Sequence, residues 1–162
     1  MNMPPLRTVG LLVLCIAVPL LIGMAGSFYT TPEIPTWYAS INKPSFTPPG
    51  WVFGPVWTTL YILMGISLFL VVKNGLGAAP VRQGVLLYSA QLALNLIWSV
   101  LFFGMHAVFL GLLDLLLLFV LIAATIASFL RISRPAAWLL VPYLCWVGFA
   151  SLVNAMTWIL NR

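Results

Sequence analysis

Long apolar runs separated by short breakers make up most of the chain. A transmembrane helix needs about 20 mostly apolar residues, because the hydrocarbon core is about 30 Å thick and a helix rises about 1.5 Å per residue. Five stretches meet this requirement: Val9 to Ser27, Val52 to Val72, Val81 to Phe103, Ala107 to Leu130 and Ala136 to Leu160. Runs such as LLDLLLLFVLIAATIASFL are continuously apolar and lack the alternation of a membrane barrel strand. The pattern therefore predicts an all-α, multi-pass membrane bundle of five helices, read as one domain over residues 1–162. The first run follows Arg7 and has the look of a secretory signal, but four further spans argue that it is retained.

The breakers are Lys73-Asn74-Gly75-Leu76-Gly77, Gly104-Met105-His106 and Arg131-Ile132-Ser133-Arg134-Pro135. Pro19 and Pro142 fall inside spans, where they are expected to bend the helix or free a carbonyl. The first connection, Phe28 to Trp51, is much longer than the others. It holds five prolines together with Phe28, Tyr29, Trp37, Tyr38, Phe46 and Trp51. A disordered linker is poor in aromatics, so this segment is expected to be an ordered lid on the bundle. The alternative is an aromatic belt at the membrane interface.

Composition removes whole classes of chemistry. Hydrophobic residues are 63% of the chain and charged residues only 6%, against about 25% charged in soluble domains. One histidine, His106, two acids, Glu33 and Asp114, and two cysteines, Cys15 and Cys145, supply no zinc or redox-metal ligand set and no disulfide framework. There is no Ser-His-Asp arrangement to assemble and no Gly-rich phosphate loop. Seven dispersed cations make no basic stripe, so nucleic acid is not an expected partner. They act as topology signals instead. Arg7, Lys73, Arg82, Arg131 and Arg134 collect on the N-terminal side, and Lys43 and Arg162 on the other. The positive-inside rule then puts the N-terminus in the cytoplasm, with the long loop and C-terminus outside.

Helical spacing of 100° per residue groups Tyr88, Gln91, Asn95, Trp98 and Phe102 on one face of the third span. Amides are costly against lipid, so this face is expected to point inward. It serves either as part of a ligand pocket or as interhelical glue. Trp57, Tyr61, Met64 and Gly65 share a face of the second span. Trp146, Ala150, Asn154 and Thr157 share one on the fifth. Aromatic walls with a few polar tips suit a flat apolar molecule; plain packing is the alternative. Asp114 lies inside the fourth span on a face with Thr125 and Ser128, and is expected to be neutral or paired. Ala123/Ala127, Ala124/Ser128 and Gly23/Ser27 are small-residue pairs that permit close helix contact, within the bundle or in a homodimer.

The motif Trp37-Tyr38, then Asn42-Lys43-Pro44-Ser45-Phe46-Thr47-Pro48-Pro49-Gly50-Trp51 and Pro55-Val56-Trp57-Thr58-Thr59-Leu60-Tyr61, resembles the signature of the TspO/MBR family of tryptophan-rich sensory and translocator proteins. The likeness continues through Gln91-Leu92-Ala93-Leu94-Asn95, Trp98, Phe102-Phe103-Gly104, Asp114-Leu115-Leu116-Leu117 and Pro142-Tyr143-Leu144-Cys145-Trp146, over nearly the whole chain. The resemblance implies a five-helix bundle with a loop-capped pocket. It also implies binding of porphyrins such as protoporphyrin IX and of synthetic isoquinoline-carboxamide and benzodiazepine ligands. Tyr38, Pro48, Trp57, Tyr61, Asn95, Trp98, Trp146 and Ala150 match the family's pocket positions, and Trp57 and Trp146 match tryptophans implicated in light-dependent porphyrin breakdown. The tyrosine and arginine of the animal members' sterol motif fall on Ala155 and Ile159, so sterol binding through that motif is not implied.

Three functions follow as expectations. The first is a membrane receptor or carrier for porphyrins and related flat ligands, with no cofactor and no metal, in a bacterial or organelle membrane. The second is a porphyrin-degrading enzyme that uses light, oxygen and the tryptophans Trp57 and Trp146. The third is a structural scaffold that binds no ligand.

Overall fold

The computed structural model describes residues 4–162. Five helical stretches are long and apolar enough to cross a membrane: Pro5–Glu33, Gly50–Val72, Ala79–Gly104, Val108–Leu130 and Arg134–Leu160. Among the described residues all regular structure is helical. The chain is a multi-pass integral membrane protein built as a five-span bundle.

Helix α1 runs Pro5–Glu33 and passes beyond its apolar run at both ends. Its polar end stays helical because Ser27 and Thr30 donate their hydroxyls back to the carbonyls of Met24 (2.7 Å) and Gly26 (3.2 Å). Pro19 lies within α1, and the helix continues through it. A short helix α2, Trp37–Ser40, and a 3₁₀ turn, Gly50–Val52, punctuate the loop leading to α3, Phe53–Val72. Helix α4, Ala79–Ser99, loosens into a π-helical turn over Val100–Gly104 before α5, Val108–Leu130.

The fifth span differs from expectation. It is split at Leu140 into α6, Arg134–Leu139, and α7, Val141–Leu160. Pro142 therefore sits in the first turn of α7 rather than inside a helix. Its missing N–H costs little there, because first-turn N–H groups have no intrahelical acceptor.

Helix α1 packs against α3 and α4, α4 against α5, and α5 against α7, while α6 and α7 return to α3 and close the ring. Lipid offers no hydrophobic drive for helix association, so close fit has to hold such a bundle. Among the glycines, the tightest approach to another backbone is at Gly65 of α3, where a Cβ would lie 2.4 Å from Ile16 Cα and 2.8 Å from the Cys15 carbonyl oxygen. A buried tie reinforces the closure: Ser67 Oγ donates to the Ala136 carbonyl at 2.7 Å. The five cations of the N-terminal side lie at one end of the bundle: Arg7 at the start of α1, Lys73 and Arg131 in the α3–α4 and α5–α6 connections, and Arg82 and Arg134 in the first turns of α4 and α6. Asn161, next to Arg162, bonds to the long loop at the opposite end.

Candidate functional site

The loop-covered end of the bundle holds two cavities. The larger, about 480 Å³, lies between α1, α3 and α4. Its aromatic walls are Trp57 and Tyr61 of α3 and Trp98 and Phe103 of α4, and Asn95 supplies a polar tip. Gly23 of α1 makes room for Tyr61, since a Cβ there would fall 2.1 Å from the ring. Ser27, Thr30, Thr31 and Thr58 add hydroxyls along the same cleft. The smaller cavity, about 30 Å³, lies under the loop and is lined by Tyr38, Pro48, Trp146, Phe149, Ala150 and Asn154 among others. Phe53, Trp98 and Phe103 border both.

The eight residues singled out from sequence thus fall into two groups. Trp57, Tyr61 and Asn95 face the cleft. Tyr38, Pro48, Trp146 and Ala150 face the small cavity, and Trp98 stands between them. Sequence reasoning missed Gly23, Phe53 and Phe103 as wall residues. Gly23 was visible only as half of a small-residue pair. Phe53 and Phe103 looked like ordinary span residues, because nothing local marks which phenylalanine meets a cavity.

A hydrogen-bonded chain backs the cleft. Tyr61 Oη donates to Asn95 Oδ1 at 2.6 Å, and Asn95 Nδ2 donates to Tyr143 Oη at 3.2 Å. Trp57 stacks on Tyr61 (centroids 5.4 Å apart, planes at 28°) and meets Tyr143 edge-on at 6.1 Å. On the other side of Trp98, its indole Nε1 donates to Asn154 Oδ1 at 3.4 Å, and Asn154 Nδ2 reaches the Val108 carbonyl at 2.8 Å. Three helices are bridged by Asn95, so its amide is a tie as well as a cavity wall. Of the two expectations for Asp114, neutral or paired, pairing is not met at Oδ2: the residue is buried, and this oxygen contacts no protein donor among the described residues. Tyr88 Oη and both side-chain polar atoms of Gln91 are likewise buried without a protein partner.

The long loop is a lid over part of its length and a belt over the rest. Tyr38 is buried against Phe53, Phe102 and Phe103, and Trp37 meets Phe102 edge-on at 5.3 Å. Phe28 is 75% exposed and points outward as a belt would, whereas Trp51, equally exposed, helps to line the larger cavity. Burial pushes the Tyr38 phenol up to about 12, which keeps it neutral. Lys43 folds over the Tyr38 ring (4.7 Å) and donates to the carbonyls of Tyr38 and Ile41. Loss of water lowers its pKa.

The C-terminal end of α7 clasps the lid through one side chain. Asn161 accepts from the Asn42 backbone N–H through Oδ1 (3.1 Å) and donates to the Asn42 carbonyl through Nδ2 (2.8 Å). Each such bond contributes about 1 kcal/mol, less where water competes. Asn161→Ala should therefore speed hydrogen exchange of lid amides by roughly three- to tenfold. Mass spectrometry of peptides covering residues 37–47 measures this, and unchanged exchange would show that the clasp carries no weight.

Comparisons with known proteins agree with this architecture. A family model described as the TspO/MBR family matches residues 15–159. The chain is 48% identical over 143 residues to "Tryptophan-rich protein TspO" of Chlorobaculum tepidum, covering 88% of this chain and 90% of that one. It is 43% identical over 150 residues to "Tryptophan-rich protein TspO" of Archaeoglobus fulgidus, covering 93% and 96%. It is also 43% identical over 145 residues to "Translocator protein" of Bos taurus, covering 87% and 84%.

Proposed function

The chain belongs to the TspO/MBR family, and on that premise we propose that it is a membrane receptor or carrier for porphyrins of the protoporphyrin IX type and related flat apolar molecules. The observation that carries this reading is the cleft of about 480 Å³ walled by Trp57, Tyr61, Trp98 and Phe103. That volume falls within the range of about 300–1,000 Å³ usual for small-molecule pockets. Indole and phenol faces offer a planar macrocycle stacking surface. Along the cleft the Thr31 hydroxyl offers a donor to a carboxylate side arm, while those of Ser27, Thr30 and Thr58 already donate to carbonyls of their own helices. A metal-free porphyrin asks nothing more of the protein than this.

Titration of purified protein with protoporphyrin IX in the dark, read by quenching of tryptophan fluorescence, tests the proposal. Saturable binding that Trp98→Ala weakens supports it. Absence of saturable binding would leave the scaffold reading in its place.

A second reading concerns light. Trp57 stacks on Tyr61 in the cleft wall, an arrangement in which an indole could donate an electron to an excited pigment lying against it. Trp57→Phe combined with Trp146→Phe keeps apolar rings and removes both indoles. Porphyrin affinity should fall no more than a few-fold, about 1 kcal/mol, while any light-dependent loss of pigment absorbance should slow much more. Equal rates of bleaching in the double variant would remove these tryptophans from the chemistry.

A further inference from the structure

At the start of the lid, three residues from three separate segments meet. Glu33 ends α1, Trp37 opens α2, and His106 lies in the link between α4 and α5. His106 Nε2 is 3.1 Å from Glu33 Oε2. Thr36 Oγ1 lies 3.3 Å from the same carboxylate oxygen, and its hydroxyl is shared with the Pro32 carbonyl at 2.9 Å. The imidazole lies flat on the Trp37 indole, with centroids 4.2 Å apart and planes at 10°. Trp37 in turn meets Phe102 and Phe103, the latter a wall of both cavities. One titratable ring thus touches the end of the first span and the start of the lid together.

The backbone holds it there. His106 has φ of 54°, in the left-handed region, which few side chains other than Asn, Asp and His occupy readily. The charged and titratable groups around it are few. Glu33 faces it from α1. From α2 it meets the uncharged Trp37 ring, while Tyr38 turns inward against Phe102 and Phe103. Lys43 is engaged with the Tyr38 and Ile41 carbonyls. Among the described residues Glu33 is the one ion-pair partner of His106.

We infer that the Glu33–His106–Trp37 contact is a proton-sensitive latch on the lid, so that ligand escape from the site depends on pH. This rests on the reading of the cavities as a ligand site. Protonation changes two contacts in the same direction. The His106–Glu33 contact passes from a neutral ring beside a carboxylate to a pair in which both partners are charged, which strengthens it. The imidazolium also gains a cation–π attraction to the indole face beneath it.

Closure and charge on the ring therefore favour each other. By linkage, closure is favoured at low pH and relaxes as pH rises through the interval of about 5–8 in which imidazoles lose their charge. Both groups are partly exposed, so screening keeps the effect modest, roughly three- to tenfold in lid opening.

Two measurements test the latch. The first needs no ligand: hydrogen exchange of residues 34–43, corrected for intrinsic rates, at pH 5.5 and pH 8. The second is stopped-flow release of protoporphyrin IX in the dark at the same two pH values. The expected result is lid protection that falls, and release that speeds up, by roughly three- to tenfold at pH 8.

His106→Asn keeps a residue at ease with the left-handed backbone and cannot take up a proton, so it should flatten both profiles. Glu33→Gln leaves a protonatable ring and should cut the pH response to less than half. Lid protection equal at the two pH values in wild type, or the same pH response in His106→Asn as in wild type, would overturn the latch. Protoporphyrin IX that does not bind, together with pH-dependent lid protection, would overturn the ligand reading and leave the latch standing.

Discussion

Replacing Gly65 with alanine should destabilise the protein more than any other single methyl group added to the bundle. The new Cβ would lie 2.4 Å from Ile16 Cα and 2.8 Å from the Cys15 carbonyl oxygen. Both are backbone atoms, so no rotamer change relieves the overlap, and α1 has to move away from α3 as a body. Overpacking typically costs 1–3 kcal/mol, and an encounter with backbone puts this case at the upper end, about 3 kcal/mol. For a chain of this size that corresponds to a fall in Tm of about 10 °C. Gly54 lies in the same helix with nothing within 4 Å of its would-be Cβ. Gly54→Ala should therefore leave Tm level or raise it slightly, because alanine favours the helix. Thermal unfolding in detergent, followed by circular dichroism, compares the two. Equal Tm values would mean that α1 and α3 are free to separate without cost.

Asn95→Leu should have the second largest effect, and on two quantities at once. Asn95 joins Tyr61 to Tyr143 across three helices and also lines the cleft. Leucine leaves both phenols without their shared partner inside a bundle where no side chain takes its place. A buried polar group stripped of its partner costs about 1–3 kcal/mol, whereas interhelical hydrogen bonds in membranes average about 0.6 kcal/mol. The loss of two bonds at a nearly fully buried site is expected to cost about 2 kcal/mol. Leucine itself inserts into a membrane more readily than asparagine, so a lower Tm would report the broken chain and not failed insertion. Tyr61 would be free to turn into the cleft, and protoporphyrin IX should bind five- to tenfold more weakly. Tyr61→Phe removes one bond and should show about half the stability loss. A fall in Tm with unchanged affinity would make the amide a tie alone.

The lid shows how far local pattern reaches. Its prolines and aromatics predict an ordered segment, and Tyr38 buried against Phe53, Phe102 and Phe103 matches that expectation. The same pattern does not separate Tyr38, which turns inward, from Trp51, which is 75% exposed. Both are large rings in a proline-rich segment, and only the position of α3 and α4 beneath the loop decides which one is buried. Asn161 and His106 are harder still. Asn161 reads as a helix end and His106 as a polar link residue. Their roles come from partners at Asn42 and Glu33, far away in the chain.

The sequence by itself determined the number of spans and the inward face of α4. These are local quantities: the length of an apolar run is matched against membrane thickness, cations mark the ends, and 100° per residue turns spacing into a face. It also determined the residues around the cavities, since Trp57, Tyr61, Asn95, Trp98 and Trp146 stood out as aromatic and polar positions on helix faces. The tertiary structure decided how those residues are shared out. Trp57, Tyr61 and Asn95 wall an open cleft beside α1, Trp146 and Ala150 border a nearly filled space under the lid, and Trp98 divides the two. That division depends on how closely α1 approaches α3 at Gly65 and on the room left for Tyr61 at Gly23. Both depend on distances between helices that no single helix contains.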